Sequence, residues 1–299
     1  MGGPGLPRAY RLLETHETLT MAINVFLHYT QEELNRNFDQ RTWASNALEV
    51  IARYPVLSEA TRKRFTYRTV AYGFAPDETL DIFPVGEGGP VQVFVHGGAW
   101  KNFTKDDYSF VADAYVPAGI NTAVLNFSNL PQVRLPEMVD QVRRGIEWVH
   151  RNAREFGGDP NRIFVSAQSS GAHLSAMALT RVNCVKAATL VSGPYYLEPV
   201  MLSKRSDYVK LEAAEVTEYS PGLQAHKVSC PVTIAYAEND TDEFRRQSRE
   251  FAAALERAGR LQKVLHFPGV NHFELMERFR DPDYALVRAI LEQTGVRRS

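Results

Sequence analysis

Short apolar segments alternate with amphipathic segments along the chain from about residue 65 onward. Residues 65–72 alternate between apolar and polar side chains, which is typical of a half-exposed strand. Later runs are apolar and rich in β-branched residues, which predicts buried strands. These predicted strands cover residues 80–84, 91–95, 122–127, 162–166, 187–191, 232–236 and 264–267.

Most segments between these strands carry apolar residues at helical spacing. The predicted helices cover residues 135–156, 171–179, 243–258 and 284–294. Nearer the N-terminus, Thr30-Gln-Glu-Glu is a capping-box pattern that predicts a helix start, and a second helical stretch covers residues 44–52. Strands that alternate with helices imply βαβ units, so we predict an α/β fold with a mostly parallel central sheet and helices on both faces.

Two regions depart from this alternation. Residues 1–20 contain several glycines and prolines, which disfavour regular structure. We predict an N-terminal helical segment over residues 1–60 and the main α/β domain over residues 61–299. Within that domain, residues 197–227 are helical or irregular, and we interpret them as a small cap-like insertion over the sheet edge.

Composition and charge exclude several classes of protein. The chain has 299 residues and is 44% hydrophobic, a composition too apolar for a disordered protein. Its net charge is −1, without the excess of basic residues that a nucleic-acid-binding surface needs. The two cysteines are too few for a disulfide scaffold or a zinc site, and both are predicted to be buried thiols. There is no metal-ligand cluster or phosphate-binding loop, so we expect no cofactor and no metal. With no secretory signal and no run near ~20 apolar residues, we expect a cytoplasmic protein without membrane contact.

The strongest chemical signal is a serine between a predicted buried strand and a predicted helix. The stretch Val165-Ser-Ala-Gln-Ser-Ser-Gly-Ala-His173 makes this transition with Ser169 at the turn. A nucleophilic serine in such an elbow needs small residues two positions before and two after it. Ala167 and Gly171 hold those positions. We therefore predict Ser169 as the nucleophile.

The neighbouring serines fit this turn less well. Ser166 has Phe164 and Gln168 at the flanking positions, and Ser170 has Gln168 and Ala172. A bulky residue would collide within the tight turn. The simpler alternative is that Ser169 only caps the helix that follows.

A second motif, His96-Gly-Gly-Ala-Trp100, follows a predicted strand. Glycines let backbone N–H groups approach a substrate, and prepositioned N–H groups stabilise the negative oxygen of a tetrahedral intermediate. We predict an oxyanion hole formed by Gly97, Gly98 and the N–H of Ser170. His96 is interpreted as structural. Trp100 is predicted to line the substrate pocket, with simple core packing as the alternative.

A serine nucleophile needs a base, and histidine suits this role near neutral pH. The order serine, acid, histidine along the chain favours a late histidine, which is His272. His266 lies within the preceding strand, and His173 is expected to pack under the elbow.

The acid that orients this histidine is predicted in the loop after residues 232–236. Asp240 holds the loop position that the fold normally uses. Glu238, Asp242 and Glu243 remain alternatives in the same loop, although Glu243 is also explained as the start of a helix.

Several motifs together resemble the arylformamidase (kynurenine formamidase) branch of the α/β-hydrolases. The likeness spans roughly residues 30 to 290 and rests on six segments. These are His96-Gly-Gly-Ala-Trp, Gly157-Gly-Asp-Pro-Asn-Arg, Ser169-Ser-Gly-Ala-His-Leu, Ser192-Gly-Pro-Tyr-Tyr-Leu-Glu-Pro, Ser220-Pro and Asp242-Glu-Phe-Arg-Arg-Gln-Ser.

The resemblance implies a serine amidase that hydrolyses N-formyl or N-acyl aromatic amines of the N-formylkynurenine or N-acylanthranilate type, within tryptophan or anthranilate metabolism. It also places Phe38 of the N-terminal segment and Tyr195 in the substrate pocket. Two departures border the predicted centre: Ala167-Gln168 stands where the family often has Gly-His, and Ala99 where it often has Tyr. The alternatives are a carboxylesterase or arylesterase of broad specificity and a non-catalytic binding protein on the same fold. The expected partner is a small aromatic amide or ester; a homodimer is left open.

Overall fold

A computed structural model describes residues 23–296, and its centre is an eight-stranded sheet. A separate hairpin pairs β1 with β2 near the start of the described chain. The ten strands are β1 (Asn24–Phe26), β2 (Tyr29–Thr30), β3 (Arg68–Ala71), β4 (Thr79–Phe83), β5 (Gly89–Val95), β6 (Asn121–Leu125), β7 (Gly158–Gln168), β8 (Val185–Val191), β9 (Val232–Asn239) and β10 (Leu261–Asn271).

The strand order in the central sheet is β10-β9-β8-β7-β5-β6-β4-β3. Only the two pairs that involve β4 are antiparallel, and the others are parallel. Parallel neighbours bring the carboxyl ends of several strands to one edge, where α/β proteins bind their ligands. The predicted fold class, a mostly parallel sheet flanked by helices, is confirmed.

The helices flank the sheet. They are α1 (Gln31–Asn37), α2 (Ala47–Arg64), α3 (Ala112–Tyr115), α4 (Leu135–Asn152), α5 (Ser170–Ala178), α6 (Glu198–Leu202), α7 (Ser206–Val209), α8 (Ala213–Glu218), α9 (Asp242–Arg257), α10 (His272–Glu277) and α11 (Ala285–Thr294). Short 3₁₀ helices cover Gln40–Thr42, Lys105–Asp107, Ser109–Val111, Ala153–Phe156, Pro221–Leu223, Ala225–Lys227 and Arg278–Arg280.

Two hydrophobic clusters cover the two faces of the sheet. Along β5, Val93 and Val95 belong to the cluster that includes residues of α4, α5 and α9, whereas Phe94 belongs to the cluster formed with α2, α3 and α11. Successive side chains of a strand point to opposite faces, so a strand buried on both faces reads as a continuous apolar run. This explains why residues 93–95 of β5 form a continuous apolar run.

The N-terminal elements differ in part from the prediction. Thr30 begins α1 with the predicted capping box. The second helix was predicted over residues 44–52, but α2 continues through Pro55 to Arg64. Its buried positions Val50, Tyr54, Ser58 and Thr61 follow helical spacing, so packing of one face holds the helix together across the proline. The prediction for residues 1–20 lies outside the described residues.

The segment 197–227 contains α6, α7, α8 and two 3₁₀ helices. Cys230 is buried, and Cys184 is only partly buried, so the prediction of two buried thiols is wrong for Cys184. Within residues 23–296, no helix is both long enough and apolar enough to cross a membrane.

Candidate active site

Ser169 stands at a sharp turn between β7 and α5 with φ 57° and ψ −129°. A non-glycine residue with positive φ carries backbone strain, which concentrates at functional sites. The N–H of Ser169 donates to the carbonyl oxygen of Val191 at 2.8 Å, which ties the turn to the end of β8. The rivals Ser166 and Ser170 have buried hydroxyls, whereas Ser169 lines the main cavity of this edge.

Close backbone approach explains the glycine after the turn. Gly171 lies against the carbonyl groups of Val95 and His96, so a Cβ at this position would overlap them. Val95 is also the residue that pairs with Ala167 across β5 and β7. The end of β5 therefore lies beside the turn of Ser169, and the loop that follows β5 starts next to this residue.

That loop begins with Gly97 and Gly98. A Cβ on Gly97 would lie 3.0 Å from the Cβ of Ser169, and Gly98 has φ 122°, where a Cβ would overlap the Asn102 carbonyl. The Ser170 N–H is the first of α5, where a helix offers no carbonyl partner. The three predicted oxyanion-hole residues are thus grouped around the turn that carries Ser169.

His96 holds this loop through a hydrogen bond to its backbone. Its Nδ1 donates to the carbonyl oxygen of Gly97 at 2.7 Å, and its ring stacks on Phe127 at 4.3 Å. Complete burial lowers the pKa of His96 to about 4, so the imidazole is neutral at physiological pH. A neutral, enclosed ring holds the Gly97 carbonyl in place rather than exchanging protons with a substrate.

Asp240 and His272 form the second part of the site. His272 Nδ1 lies 2.7 Å from Asp240 Oδ1, and both side chains are buried. The other carboxylate oxygen of Asp240 accepts hydrogen bonds from the Ser192 hydroxyl at 2.6 Å and from the Ala237 N–H at 2.9 Å. These donors stabilise the ionised carboxylate, which can then orient an imidazole.

The role of Ser192 was not identified from the sequence. Ser192 appeared only within one of the family motifs, because nothing in its local pattern indicates a contact with Asp240, 48 residues later. Its signal is structural: Ser192 follows β8 directly and has φ 50°. A residue in this strained position after a central strand projects toward the same sheet edge as Ser169.

The other acids of the loop have different partners. Glu238 is exposed and accepts from the Gly269 N–H, and Asp242 is exposed and pairs with Arg245. Glu243 is buried and forms an ion pair with Arg246 at the start of α9. Of the four candidates, Asp240 is the acid hydrogen-bonded to His272.

His272 is the first residue of α10, and this helix start is firmly capped. The Asn271 side chain accepts from the N–H groups of Phe273 and Glu274, and the Glu274 carboxylate accepts from the Asn271 N–H. This capping box fixes the backbone that carries the imidazole. His266, the earlier alternative, is exposed and packs on Tyr236.

Gln168, next to Ser169, contacts the imidazole of His272. Its amide nitrogen lies 2.8 Å from His272 Nε2 and 3.3 Å from the His272 carbonyl oxygen. A carbonyl oxygen only accepts, so the amide presents its NH₂ group to both atoms. His272 Nε2 is then the unprotonated nitrogen and Nδ1 carries the proton toward Asp240, which is the tautomer that a general base requires.

His173 joins three parts of the site. Its Nδ1 accepts from the Trp100 indole N–H at 3.2 Å, and its Nε2 donates to the Tyr219 carbonyl oxygen at 2.8 Å. Burial lowers the pKa of His173 to about 4. The neutral ring thus links the loop after β5, the helix of the elbow and the segment 197–227.

The N-terminal elements hold the loop of Asp240. The Thr241 hydroxyl donates to the Asn37 carbonyl oxygen at 2.7 Å, and the Thr241 N–H donates to the Gln40 side chain at 3.1 Å. Asn37 Oδ1 also accepts from the Glu243 N–H at 3.0 Å. Residues near the start of the described chain therefore satisfy N–H groups at the beginning of α9.

The same segment holds the backbone near His272. The Tyr54 hydroxyl donates to the Phe273 carbonyl oxygen at 2.6 Å, and Asn46 bonds with Asn271 and Glu274 at 2.8 Å and 2.7 Å. α1 and α2 thus contact both loops that carry the predicted acid and base.

A cavity of about 1030 Å³ opens above Ser169 and His272. Its walls come from the N-terminal segment, the loop after β5 and the region around α7; they include Phe38, Tyr54, Ala99, Phe103, Arg205 and Tyr208. Phe38 lines the cavity. Among residues 23–296, no group of three His, Cys, Asp or Glu side chains is arranged to hold a metal ion.

The other two predicted pocket residues are placed differently. Tyr195 is fully buried, stacks on Phe251 at 4.3 Å and is not among the residues that line the cavity. Trp100 is 1% exposed and is held by His173, which fits the packing alternative. Both are large aromatic residues beside the site, but their rings pack in the core and do not line the cavity.

Comparisons with known proteins agree with this architecture. A family model described as BD-FAE matches residues 80–193, and a model of the Carboxylesterase family matches residues 137–254. Kynurenine formamidase from Danio rerio is 31% identical over 288 residues, covering 89% of this chain and 97% of that protein. Kynurenine formamidase from Salmo salar is 29% identical with the same coverage, and an esterase from Mycobacterium tuberculosis is 29% identical over 67% of this chain and 54% of that protein.

Solved structures show the same fold. A candidate thioesterase from Silicibacter superposes with a TM-score of 0.77 at 23% identity, covering 86% of this chain and 98% of the other. An esterase from Pyrobaculum calidifontis superposes with a TM-score of 0.68 at 16% identity, covering 89% and 97%. With its sheet order and its similarity to the fish enzymes along nearly their whole length, the chain belongs to the kynurenine formamidase-like branch of the α/β-hydrolases.

Proposed function

We propose that this chain is a serine hydrolase that cleaves N-formyl or N-acyl aromatic amines through an acyl-enzyme. The observation that carries the proposal is the 2.7 Å contact between Asp240 and His272 beside the strained turn of Ser169. The similarity to kynurenine formamidases supports formamide hydrolysis as the class of reaction.

In the first step, Ser169 Oγ attacks the amide carbonyl carbon while His272 Nε2 takes the hydroxyl proton. Asp240 stabilises the imidazolium that forms, and the N–H groups of Gly97, Gly98 and Ser170 hold the oxyanion. The C–N bond then breaks, and His272 gives its proton to the departing arylamine nitrogen. The products of this half-reaction are a free arylamine and an ester of the acyl group on Ser169.

In the second step, His272 takes a proton from water, whose oxygen attacks the acyl carbon of the ester. The ester bond to Ser169 breaks, and the proton returns to Ser169 Oγ. The net reaction adds one water across the amide bond. An aniline leaves more readily than an alkylamine, which is why a site of the esterase type suffices for this amide.

The direct test is the variant Ser169→Ala with formanilide and acetanilide as substrates. We expect kcat to fall by about 10⁴-fold or more, because the whole covalent route is lost. Ser248→Ala is the matched control, since its hydroxyl is buried in α9 and has no hydrogen-bond partner among residues 23–296. Retained amide hydrolysis in Ser169→Ala would disprove the role of this serine.

A carboxylesterase of broad specificity is the second candidate, favoured by the Carboxylesterase family match and the esterase relatives. Rates on acetanilide and phenyl acetate, which share the acyl group and ring, separate the two functions. An amidase cleaves both substrates, whereas an esterase turns over only the phenyl ester at a useful rate. A non-catalytic binding protein would also fail to react with a fluorophosphonate probe for active serines.

A further inference from the structure

The cavity above Ser169 and His272 has two walls of different chemistry. One wall comes from α1, the residues that follow it up to Thr42, and α7; it carries many charged side chains, which include Glu32, Arg36, Asp39, Arg41, Lys204 and Asp207. The other wall, called the α2 wall, comes from α2, the loop after β5 and the start of α10; its side chains are Leu48, Ile51, Tyr54, Phe103, Tyr108 and Phe273. Burial raises the pKa of Tyr54 and Tyr108, so both phenols stay neutral and the α2 wall carries no charge.

The α2 wall begins beside the groups of the proposed reaction. The Phe103 ring packs against the backbone of Gly98, where an added Cβ would lie 3.0 Å from the ring. On the other side, the Phe273 ring lies 5.4 Å from the imidazole of His272. The Tyr54 hydroxyl is already engaged, because it donates to the Phe273 carbonyl oxygen at 2.6 Å. Tyr54 therefore adds aromatic surface to the cavity and has its hydroxyl proton committed to the backbone.

From Tyr54 the α2 wall continues outward along one face of the helix. Tyr54, Ile51 and Leu48 are spaced three residues apart, so their side chains are neighbours on the helix surface. Tyr54 is buried, Ile51 is half-buried and Leu48 is 72% exposed. The six residues from Leu48 to Tyr54 rise by about 9 Å along the helix axis. An apolar surface of this length thus runs from the reacting groups to the opening of the cavity, and a formyl group would leave it uncovered.

We propose that the α2 wall binds the acyl half of the substrate as an unbranched hydrocarbon chain, so that the preferred substrates carry medium-length acyl groups such as hexanoyl rather than formyl or acetyl. The inference rests on the proposed function, in which the acyl group is transferred to Ser169. The arylamine half then lies against the charged wall, where Phe38 and Tyr208 supply aromatic surface for its ring. Ile51 is a specificity-determining residue in this arrangement and takes no part in bond breaking.

The first test measures kcat/KM on acetanilide, butyranilide and hexananilide. Their carbonyl groups have similar reactivity, so differences report the binding of the chain. Burial of one methylene corresponds to a gain of up to about fourfold, and we expect kcat/KM to be at least tenfold higher for hexananilide than for acetanilide. Values that stay equal or fall as the chain grows would overturn the proposal.

The variant Ile51→Trp tests the wall itself, because a larger ring occupies the path of the chain. We expect kcat/KM for hexananilide to fall at least tenfold, while that for acetanilide changes less than threefold. Val56→Trp is the matched control on the same helix, since Val56 is 65% exposed and is not among the residues that line the cavity. An equal loss on both substrates in Ile51→Trp would show a purely structural effect and would overturn the proposal. If Ile51→Trp does not fold, the wild-type chain series decides.

An isomer of hexananilide tests which half of the substrate the α2 wall binds. In 4-butylacetanilide the four extra carbons are attached to the aromatic ring instead of the acyl group. We expect Ile51→Trp to leave the turnover of 4-butylacetanilide within threefold of the wild type. If this variant impairs 4-butylacetanilide and spares hexananilide, the α2 wall binds the arylamine half and the proposal is overturned.

An ester pair separates this inference from the proposed amidase function. Phenyl acetate and phenyl hexanoate differ by the same four methylenes. If no anilide is cleaved but the esters show a preference for hexanoyl that depends on Ile51, the acyl-binding role of the α2 wall holds and the amidase proposal fails. If the anilides are cleaved without a preference for the longer chain, the amidase proposal holds and the role of the α2 wall fails.

Discussion

At the residue scale, Gln168 is the most informative departure from the family pattern. Its amide donates to His272 Nε2, the atom that receives the proton of Ser169 in the proposed mechanism. The Gln168 amide and the Ser169 hydroxyl would therefore compete for the single lone pair of His272 Nε2. In the proposed mechanism, Gln168 keeps His272 in the tautomer of a general base at rest, but this hydrogen bond must be released when Ser169 attacks.

We expect Gln168→Ala to raise kcat on formanilide by about two- to tenfold, the equivalent of one net hydrogen bond. Single-turnover kinetics of acyl-enzyme formation measures the step directly. Gln168→Glu is the companion variant: a carboxylate cannot donate to Nε2 and places a negative charge beside the oxyanion, so its kcat should fall. A decrease in kcat for Gln168→Ala would show instead that the amide assists the reaction.

We expect Ser192 to influence the proposed reaction through its hydrogen bond to Asp240. Ser192→Ala removes the 2.6 Å hydrogen bond to a buried carboxylate oxygen and leaves only the Ala237 N–H on that atom. A hydrogen bond to a charged group contributes about 1.5–3 kcal/mol, so we expect kcat to fall by about 10- to 100-fold with KM nearly unchanged. Steady-state kinetics checks this, and Ser248→Ala again controls for the loss of a buried hydroxyl. A change confined to KM would contradict the positioning role.

At the element scale, the site depends on the contacts of α1 and α2 with the loops after β9 and β10. Thr241 stands beside Asp240 and is bonded to Asn37 and Gln40. These contacts determine where the Asp240 loop ends and α9 begins. The N-terminal elements thus support the backbone near Asp240 and His272 and also form a wall of the cavity.

Thr241→Val keeps the side-chain volume but removes the hydroxyl and leaves the buried Asn37 carbonyl oxygen without that donor. We expect the free energy of unfolding to fall by about 1–3 kcal/mol and kcat to fall as well, because the Asp240 loop is held less firmly. Urea unfolding and steady-state kinetics measure the two effects. In Thr180→Val the lost hydroxyl bonds to the nearby Met177 carbonyl, away from Asp240 and His272, so kcat should stay unchanged. An unaltered kcat in Thr241→Val would show that the contacts of Thr241 with Asn37 and Gln40 do not support catalysis.

The sequence predicted those parts of the molecule that local patterns encode. The apolar runs predicted the central strands. The small residues around Ser169 predicted the turn, because a tight turn allows only small side chains at the flanking positions. The extension of α2 past Pro55 could not be predicted locally, since tertiary packing of Tyr54 and Ser58 overrides the proline. The bonds of Ser192 and Thr241 join residues far apart in the chain, so no periodicity reports them. The prediction that Tyr195 lines the substrate pocket was wrong, because the sequence does not distinguish an aromatic side chain that faces the cavity from one that packs in the core.

At the scale of the whole molecule, two buried neutral histidines make stability depend on pH. The pKa values of His96 and His173 fall from 6.5 to about 4 on folding. The unfolded chain therefore binds more protons than the folded one between these values. Their contribution to stability is complete above pH 6.5 and is lost progressively as the pH falls toward 4.

Between pH 7 and pH 5 we expect each of these imidazoles to lower the free energy of unfolding by about 2 kcal/mol. Urea unfolding at the two pH values measures the total. In His173→Asn, whose amide oxygen can still accept from the Trp100 indole, the difference between the two pH values should shrink by about 2 kcal/mol. His266→Asn removes an exposed histidine and should leave the difference unchanged. The same pH difference in His173→Asn and the wild type would contradict the assignment.

The contacts of the N-terminal segment also set the order in which the site can be completed during synthesis. Gln40 and Asn37 bond to residues 201 and 206 positions later, and Tyr54 to a residue 219 positions later. Domains begin to fold from the N-terminus as the chain leaves the ribosome, and contacts between distant residues form slowly. α1 and α2 therefore cannot complete these contacts until β9, β10 and α10 have been translated. A nascent chain that ends between residues 243 and 272 has the partners of Asn37 and Gln40 but lacks His272 and the Phe273 carbonyl that Tyr54 binds.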